Sequence, residues 1–300
     1  MTIYVDILIK SDLEKLWEYT QTPSLHSRWD LRFSSIEYLP RSDPSEPQMF
    51  LYSTRIGFGL NISGKGESRG NKEDNDRNVS SALKFWSDNP ISLIKDGSGY
   101  WQYVHLEEGL LFRTEYNYKT WFGFMGRIFD QLIFRRLLGW ATAWSFDRLR
   151  LWLETDIDPQ FAFERSVILC CIRLMLALIW IYEGLIPKII FPDSGEVSIL
   201  HHFPLTANHT HAILSIVGIA EIVIGLNLFL TSRIKSILRF NIILLIFLVV
   251  SSGFSDPKLL VAPFNPVTLN ASMIALALIG LFVSHDLPTA RKCNRTKSKK

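Results

Sequence analysis

Cysteine is scarce, with three in 300 residues, at 170, 171 and 293. Two of them are neighbours in an apolar run. Neighbours in one helix cannot readily bridge each other, so no internal disulfide is implied. No C-x-x-C pair and no Cys/His zinc spacing occurs, and no metal site is expected. An excess of one charge is also missing. The net charge is +3, from 32 Lys and Arg against 29 Asp and Glu, and the densest basic run is the carboxyl-terminal tail. That balance argues against a nucleic-acid partner. Phosphate loops are lacking: GFGLNISGKGESRG at 57–70 reads as hairpin strands, not as a strand-to-helix turn. No G-x-S-x-G elbow is found. No basic leader precedes the first apolar residues either. In MTIYVDILIK, Ile3, Val5, Ile7 and Ile9 alternate as in a strand, so no cleavable signal is expected.

Charge is missing in a second, local sense. Hydrophobic residues make up 48% and mean hydropathy is +0.14. Almost all Asp, Glu, Lys and Arg lie before 166 or in the last ten residues. A wholly soluble globule is excluded by the intervening stretch. Four apolar segments there, 166–186, 211–230, 237–254 and 267–285, approach the roughly 20 residues that cross about 30 Å of hydrocarbon as a helix. Basic clusters mark one face: Arg148, Arg150 and Arg165 before the first span, Arg233, Lys235 and Arg239 between the second and third, and the tail from Arg291. The expectation is a multi-pass cell-membrane protein with four spans and both termini cytoplasmic. The tail is expected to be solvated or to touch anionic headgroups.

Polar residues inside such spans are costly and therefore informative. Arg173 and Glu221 lie at similar depths, which suggests an ion pair across two helices. Glu183, Lys188, His211 and Asn270 gather near the outer leaflet. They are candidates for a quinone, lipid or proton site, against the plainer role of bonding helix to helix. His201, His202, His209 and His211 crowd one outer loop without a completing carboxylate or cysteine.

Residues 1–155 read as mixed α and β. A strand at 2–9 leads to Ser11 and Glu14, spaced as a capping box, and a helix around Leu13, Leu16 and Trp17. Strand-like runs come next at 31–39, 48–56, 58–66, 78–87, 99–107 and 110–119. A helical segment from about 123 to 153 closes the half, with Met125, Ile128, Phe129 and Leu132 on one stripe. The sheet is its expected partner and the membrane surface the competitor. His26, Trp29, Asp30, Arg55, His105 and Glu115 are weighed as cavity residues, with no catalytic role assigned.

These residues carry two resemblances. The strand, SDLEKLWEYTQ, HSRWD, the six-strand meander and GWATAWSFDRLRLWLE at 139–154 resemble the SRPBCC superfamily. That resemblance implies an α+β helix-grip domain, in which a long helix lies across a curved antiparallel sheet around an apolar cavity. The second half, through RLMLALIWIYEGLIPK, GIAEIVIG and PFNPVTLN, resembles DoxX-like proteins, which implies an all-α four-helix transmembrane bundle in a bacterial inner membrane. The division expected is 1–155, a linker at 156–165, a membrane domain at 166–287 and a basic tail at 288–300. In the grip, Trp29, Trp86, Trp101, Phe112, Met125 and Phe129 are the expected ligand contacts. The motifs of the second half place Arg173, Glu183, Lys188, Glu221 and Asn270 as its polar candidates. The resulting reading is a non-catalytic binder of a hydrophobic molecule, a lipid or isoprenoid, with membrane lipids and a membrane protein as partners and no cofactor of its own. Its alternative is the membrane subunit of a quinone-linked oxidoreductase or redox-stress complex.

Overall fold

Alternating burial builds the first strand. In β1 (Ile3–Ile9), Ile3, Val5, Ile7 and Ile9 are buried and Tyr4 and Leu8 less so. The computed structural model describes residues 2–43, 45–71, 79–193, 210–255 and 265–297. Within them β2 (Ser35–Tyr38), β3 (Gln48–Gly57), β4 (Leu60–Asn71), β5 (Val79–Trp86), β6 (Ile94–Leu106) and β7 (Gly109–Thr120) form an antiparallel meander. β1 closes it against β7, giving the order β1-β7-β6-β5-β4-β3-β2. Glycines let the sheet accept large rings from the neighbouring strand. Phe50 pairs with Gly66 and Tyr52 with Gly64. A methyl group at Gly66 would lie 2.2 Å from the Phe50 ring, so only glycine fits there.

Two short helices come after β1. α1 (Leu13–Gln21) is capped by Asp12, whose carboxylate accepts from the Lys15 backbone N–H at 2.7 Å. The cap is thus Asp12 rather than the expected Ser11; the helix starts one residue later because Asp12 holds the extended backbone a cap requires. α2 (Pro23–Trp29) opens on proline, which suits a first helical turn, and turns HSRWD into helix. The helix-grip arrangement is completed by α3 (Gly123–Phe129), a π-helical turn (Asp130–Phe134) and α4 (Arg135–Thr155).

The single stripe expected over 123–153 is broken at that turn. A π turn holds one extra residue and rotates the remainder of the helix by about 100°. Ala143, Phe146, Leu149 and Trp152 of α4 pack on the sheet. Phe124, Met125, Leu132, Leu137 and Trp140 stay exposed. Asp130 fixes the turn: it accepts from the Tyr118 hydroxyl at 2.5 Å and from Arg135 Nε at 2.8 Å.

The tail departs most from expectation. Rather than trailing into solvent, it is part of the grip domain. The Thr289 N–H donates to Asp147 at 2.8 Å, and a 3₁₀ turn (Ala290–Lys292) comes next. Ala290 and Cys293 enter the core, and the Cys293 thiol donates to the Ala143 carbonyl at 3.1 Å. Asn294 exchanges backbone bonds with Asp6 at 3.0 and 3.1 Å. Arg291, Lys292 and Arg295 project outward from this strap. Spacing explains it: Ala290 and Cys293, three residues apart across the 3₁₀ turn, flank Arg291 and Lys292, and the apolar pair faces in. Two compact units result, Met1–Ala162 with Asp286–Lys300, and Phe163–His285. No ten-residue linker separates them. Asp156, at φ 54°, ends α4, and α5 starts at Pro159.

The second unit is helical. It comprises most of α5 (Pro159–Leu185), a π turn (Ile186–Ile190), α6 (Thr210–Leu230), α7 (Ile234–Ser255) and α8 (Pro266–Val283). Three of these helices are long and apolar enough to cross a membrane, and the stretch 267–283 is apolar but shorter. α5 and α6 touch at glycine: a Cβ on Gly184 would lie 2.4 Å from the Gly218 carbonyl oxygen, and one on Gly218 2.5 Å from that of Gly184. Such backbone approach is how apolar helices pack in lipid. Trp180 Nε1 also donates to Asn241 Oδ1 at 2.7 Å, a buried bond from α5 to α7.

Candidate ligand-binding site

A cavity of about 480 Å³ lies between the concave face of the sheet and the opening of the closing helix. Strand alternation supplies its walls. Phe50 and Tyr52 come from β3, Leu83 and Phe85 from β5, Trp101 from β6, and Thr114 and Tyr116 from β7. Phe129, Phe134, Leu137, Leu138 and Ala141 form the opposite wall. Its size and apolar walls are those of a small-molecule site. Phe129 and Leu137 line the cavity and are also about half exposed, so the helical side is where it opens.

A polar cluster sits in one wall. The buried Asp30 carboxylate takes Arg32 Nε at 2.9 Å and Nη2 at 2.6 Å, and His26 Nε2 lies 3.1 Å from its Oδ2. Burial raises the proton affinity of Asp30, but the adjacent Arg32 charge and hydrogen bonds outweigh it and hold the carboxyl well below its ordinary range. Arg32 is correspondingly held above its ordinary value. His26 is pushed down from 6.5 by burial, against the pull of Asp30, and is neutral near pH 7. Its ring stacks on Trp29 at 5.0 Å and meets Trp101 edge-on at 4.9 Å. A second polar group lines the cavity from α1: Thr20 and Gln21 both bond the Tyr103 hydroxyl, at 2.6 and 3.1 Å.

The expected contacts divide. Trp101 and Phe129 line the cavity. Trp29 and Phe112 are fully buried but lie behind the wall. Trp29 donates its indole N–H to the Tyr19 carbonyl at 2.9 Å, and Phe112 stacks on Phe146. Trp86 is outside because Phe85 takes the inward position and the next residue must face out. Met125 is exposed, since it precedes the π turn. His26 and Asp30 do meet. Glu115 is turned outward to Tyr100 and Lys297, and Arg55 and His105 are not in the lining. Arg32 is the site residue that sequence reasoning misses. An arginine two residues after an aspartate is an ordinary surface pattern, and only the fold buries it.

Known proteins bear on both units. A model of the DoxX-like family matches residues 177–278. An uncharacterised membrane protein of Bacillus subtilis (strain 168), YndG, is 55% identical over 185 residues, which is 61% of this chain and 68% of that protein. This chain belongs to the DoxX-like membrane proteins. Solved structures similar to the first unit include a STAR-related lipid transfer protein of Xanthomonas axonopodis, 14% identical, covering 51% of this chain and 86% of the other, at a TM-score of 0.40. The Zhui aromatase/cyclase of Streptomyces sp. R1128 is 11% identical, with 50% and 96% covered, at 0.38.

In the DoxX-like unit the charges are partnered, though not as expected. Glu221 faces Lys188, with Nζ and Oε2 3.0 Å apart, and Lys188 also donates to the Glu183 carbonyl at 3.2 Å. Arg173 does not reach Glu221. It donates to the carbonyls of Leu228, Phe229 and Thr231 at 2.9, 2.5 and 2.8 Å, satisfying the end of α6. Helix termini leave such carbonyls free, and a cation there also meets the negative end of the helix. Glu183 and Tyr182 line an open groove of about 460 Å³ with Leu269. Asn270 is half-buried on α8, and Asn265, not Asn270, caps that helix by accepting from the Thr268 N–H at 3.0 Å. His201, His202 and His209 lie outside the described residues. Among the described residues no cluster of metal-ligating side chains occurs.

Proposed function

We propose that this DoxX-like protein is a membrane-anchored, non-catalytic receptor for an apolar small molecule, a lipid or isoprenoid, held in the grip cavity on the cytoplasmic side. The observation that carries this reading is the cavity itself, large, apolar and opening beside the exposed start of the closing helix. Removing apolar surface from water at about 25 cal/mol per Å² would supply the affinity.

The tail supports the topology. The chain leaves the first unit through α5, and its last described residues pair with β1 of that same unit. A chain that returns to its starting domain crosses the bilayer an even number of times. Three long apolar helices and the shorter α8 among the described residues are compatible with four crossings. The bases between α6 and α7, Arg233, Lys235 and Arg239, favour the cytoplasm for that side. Native mass spectrometry of the full chain, extracted in mild detergent, tests the binding. The expected result is an added mass of an apolar molecule. Recovery of apo protein only, from membranes rich in lipid and isoprenoid, would sink the reading.

The second reading is a quinone-linked membrane subunit, favoured by the groove that Tyr182, Glu183 and Leu269 line. Quinone reduction in membranes carrying Tyr182→Phe, Glu183→Ala or both decides it. Unchanged rates in all three would exclude that site.

A further inference from the structure

Arg32 is the residue of permanent charge in the cavity lining. A guanidinium has five N–H donors. Two are on Asp30, at 2.9 and 2.6 Å. Tyr116 also lies beside this guanidinium. The Thr142 hydroxyl donates to the Leu138 carbonyl at 2.8 Å, so at its 2.8 Å contact with Tyr116 it must accept. The Tyr116 oxygen is thereby left as an acceptor beside Arg32, whose carbon lies 5.6 Å from the ring centre. The remaining donors belong to a side chain that lines the cavity. Charge is already offset here: Asp30 is held by Arg32, the buried His26 is neutral, and Arg148, the next cation near Asp30, is also set against Asp158. An anion placed on Arg32 would bring a second negative charge against Asp30 in a medium that screens poorly. An uncharged oxygen acceptor meets no such penalty, and it satisfies donors that water would otherwise hold.

We propose that the grip cavity selects an uncharged apolar molecule carrying a carbonyl oxygen, and that Arg32 donates a hydrogen bond to that oxygen while the rings of Phe50, Phe85 and Trp101 enclose the apolar body. This deepens the apolar-receptor reading and rests on it. Apolar carboxylates of the same length are rejected unless they bring a proton.

Binding of tritiated 2-dodecanone, n-dodecane and dodecanoate to the full-length protein in detergent, read by scintillation proximity at pH 7, tests this. Each probe is compared between wild type and variant, so that partition into the micelle cancels. Arg32→Met is expected to weaken 2-dodecanone by about 10-fold or more and n-dodecane by less than about 2-fold, the difference one charge-assisted hydrogen bond makes. With the micelle partition of each probe measured without protein and subtracted, dodecanoate should bind wild type more weakly than the ketone. Because a lone Asp30 could unfold the domain, the Asp30→Asn/Arg32→Met double variant removes both charges and should show the same selective loss. Equal losses for ketone and alkane, or tightest binding of dodecanoate, would overturn the carbonyl assignment while leaving the apolar cavity standing. Binding of neither ketone nor alkane to wild type would overturn the cavity reading as well.

Discussion

Both oxygens of Asp30 accept from Arg32, Oδ2 also meets His26, and the histidine gives this cluster its pH response. The folded proton affinity of His26 lies below its ordinary 6.5. The unfolded chain therefore takes up a proton that the folded chain refuses. Stability is full above 6.5 and falls as pH drops below it. Asp30 is depressed from 3.8, so its contribution is present above that value and is lost only below it. Thermal unfolding of the grip domain, followed by tryptophan fluorescence from pH 8 to 5, should decline below 6.5 in wild type. His26→Gln keeps a donor for Asp30 and should flatten that decline; an unchanged profile would assign the slope elsewhere. The Lys188–Glu221 pair makes a second prediction. Glu221→Ala leaves a mostly buried ammonium and should cost about 3 kcal/mol, whereas Glu221→Ala with Lys188→Met should cost less. Melting temperatures in detergent distinguish the two. Single residues are the least legible scale in the sequence. Trp101 and Phe129 can be found because aromatic residues are rare enough to suspect. Trp29 and Phe112 mislead, since burial in the core and exposure to a cavity select the same apolar side chains. Arg32 carries no local signal.

Elements are more legible than their phases. β3, β5 and β7 lie close to the strand-like runs read from composition, whereas β4 ends five residues later than expected and β6 begins five residues earlier. The closing helix reads as continuous because helical periodicity carries no warning of a five-residue π turn. Asp130 is the residue that sets it. Asp130→Ala would remove one partner of Arg135 and the acceptor of the Tyr118 hydroxyl and should lower stability by about 1–3 kcal/mol. Hydrogen exchange should then rise in 123–138 before it rises in β7; uniform exchange would place the role of Asp130 elsewhere. In the membrane unit the apolar pattern conceals the packing role of Gly184 and Gly218. Gly218→Leu drives a side chain into the Gly184 carbonyl and should separate α5 from α6, read as loss of a monodisperse peak in size exclusion. Ser or Ala there should be milder but still measurable.

For the molecule as a whole, two unlike units are plain from charge alone, and the proposed even crossing count rests on where the tail goes. The tail itself is illegible, because a short basic run with two small apolar residues looks like a soluble end. Ending the chain after Pro288 would remove Ala290 and Cys293 from the core and the bonds to Asp6, Asp147 and Ala143. A loss of about 3 kcal/mol in grip-domain stability is expected, with the helical unit unaffected. Alkylation of Cys293 in the intact protein offers the complementary measurement. Its thiol is pushed up to about 12 by burial and should react only when this unit opens. Rapid labelling of Cys293 in the folded protein, without denaturant, would contradict the packed strap.

That strap also sets an order of events during synthesis. The ribosome releases the first 162 residues long before Cys293 exists, so this unit must wait, incomplete, while the apolar helices are made. Its final closure then reports that insertion has finished, and a chain stalled midway would present an unsealed core to the quality-control machinery.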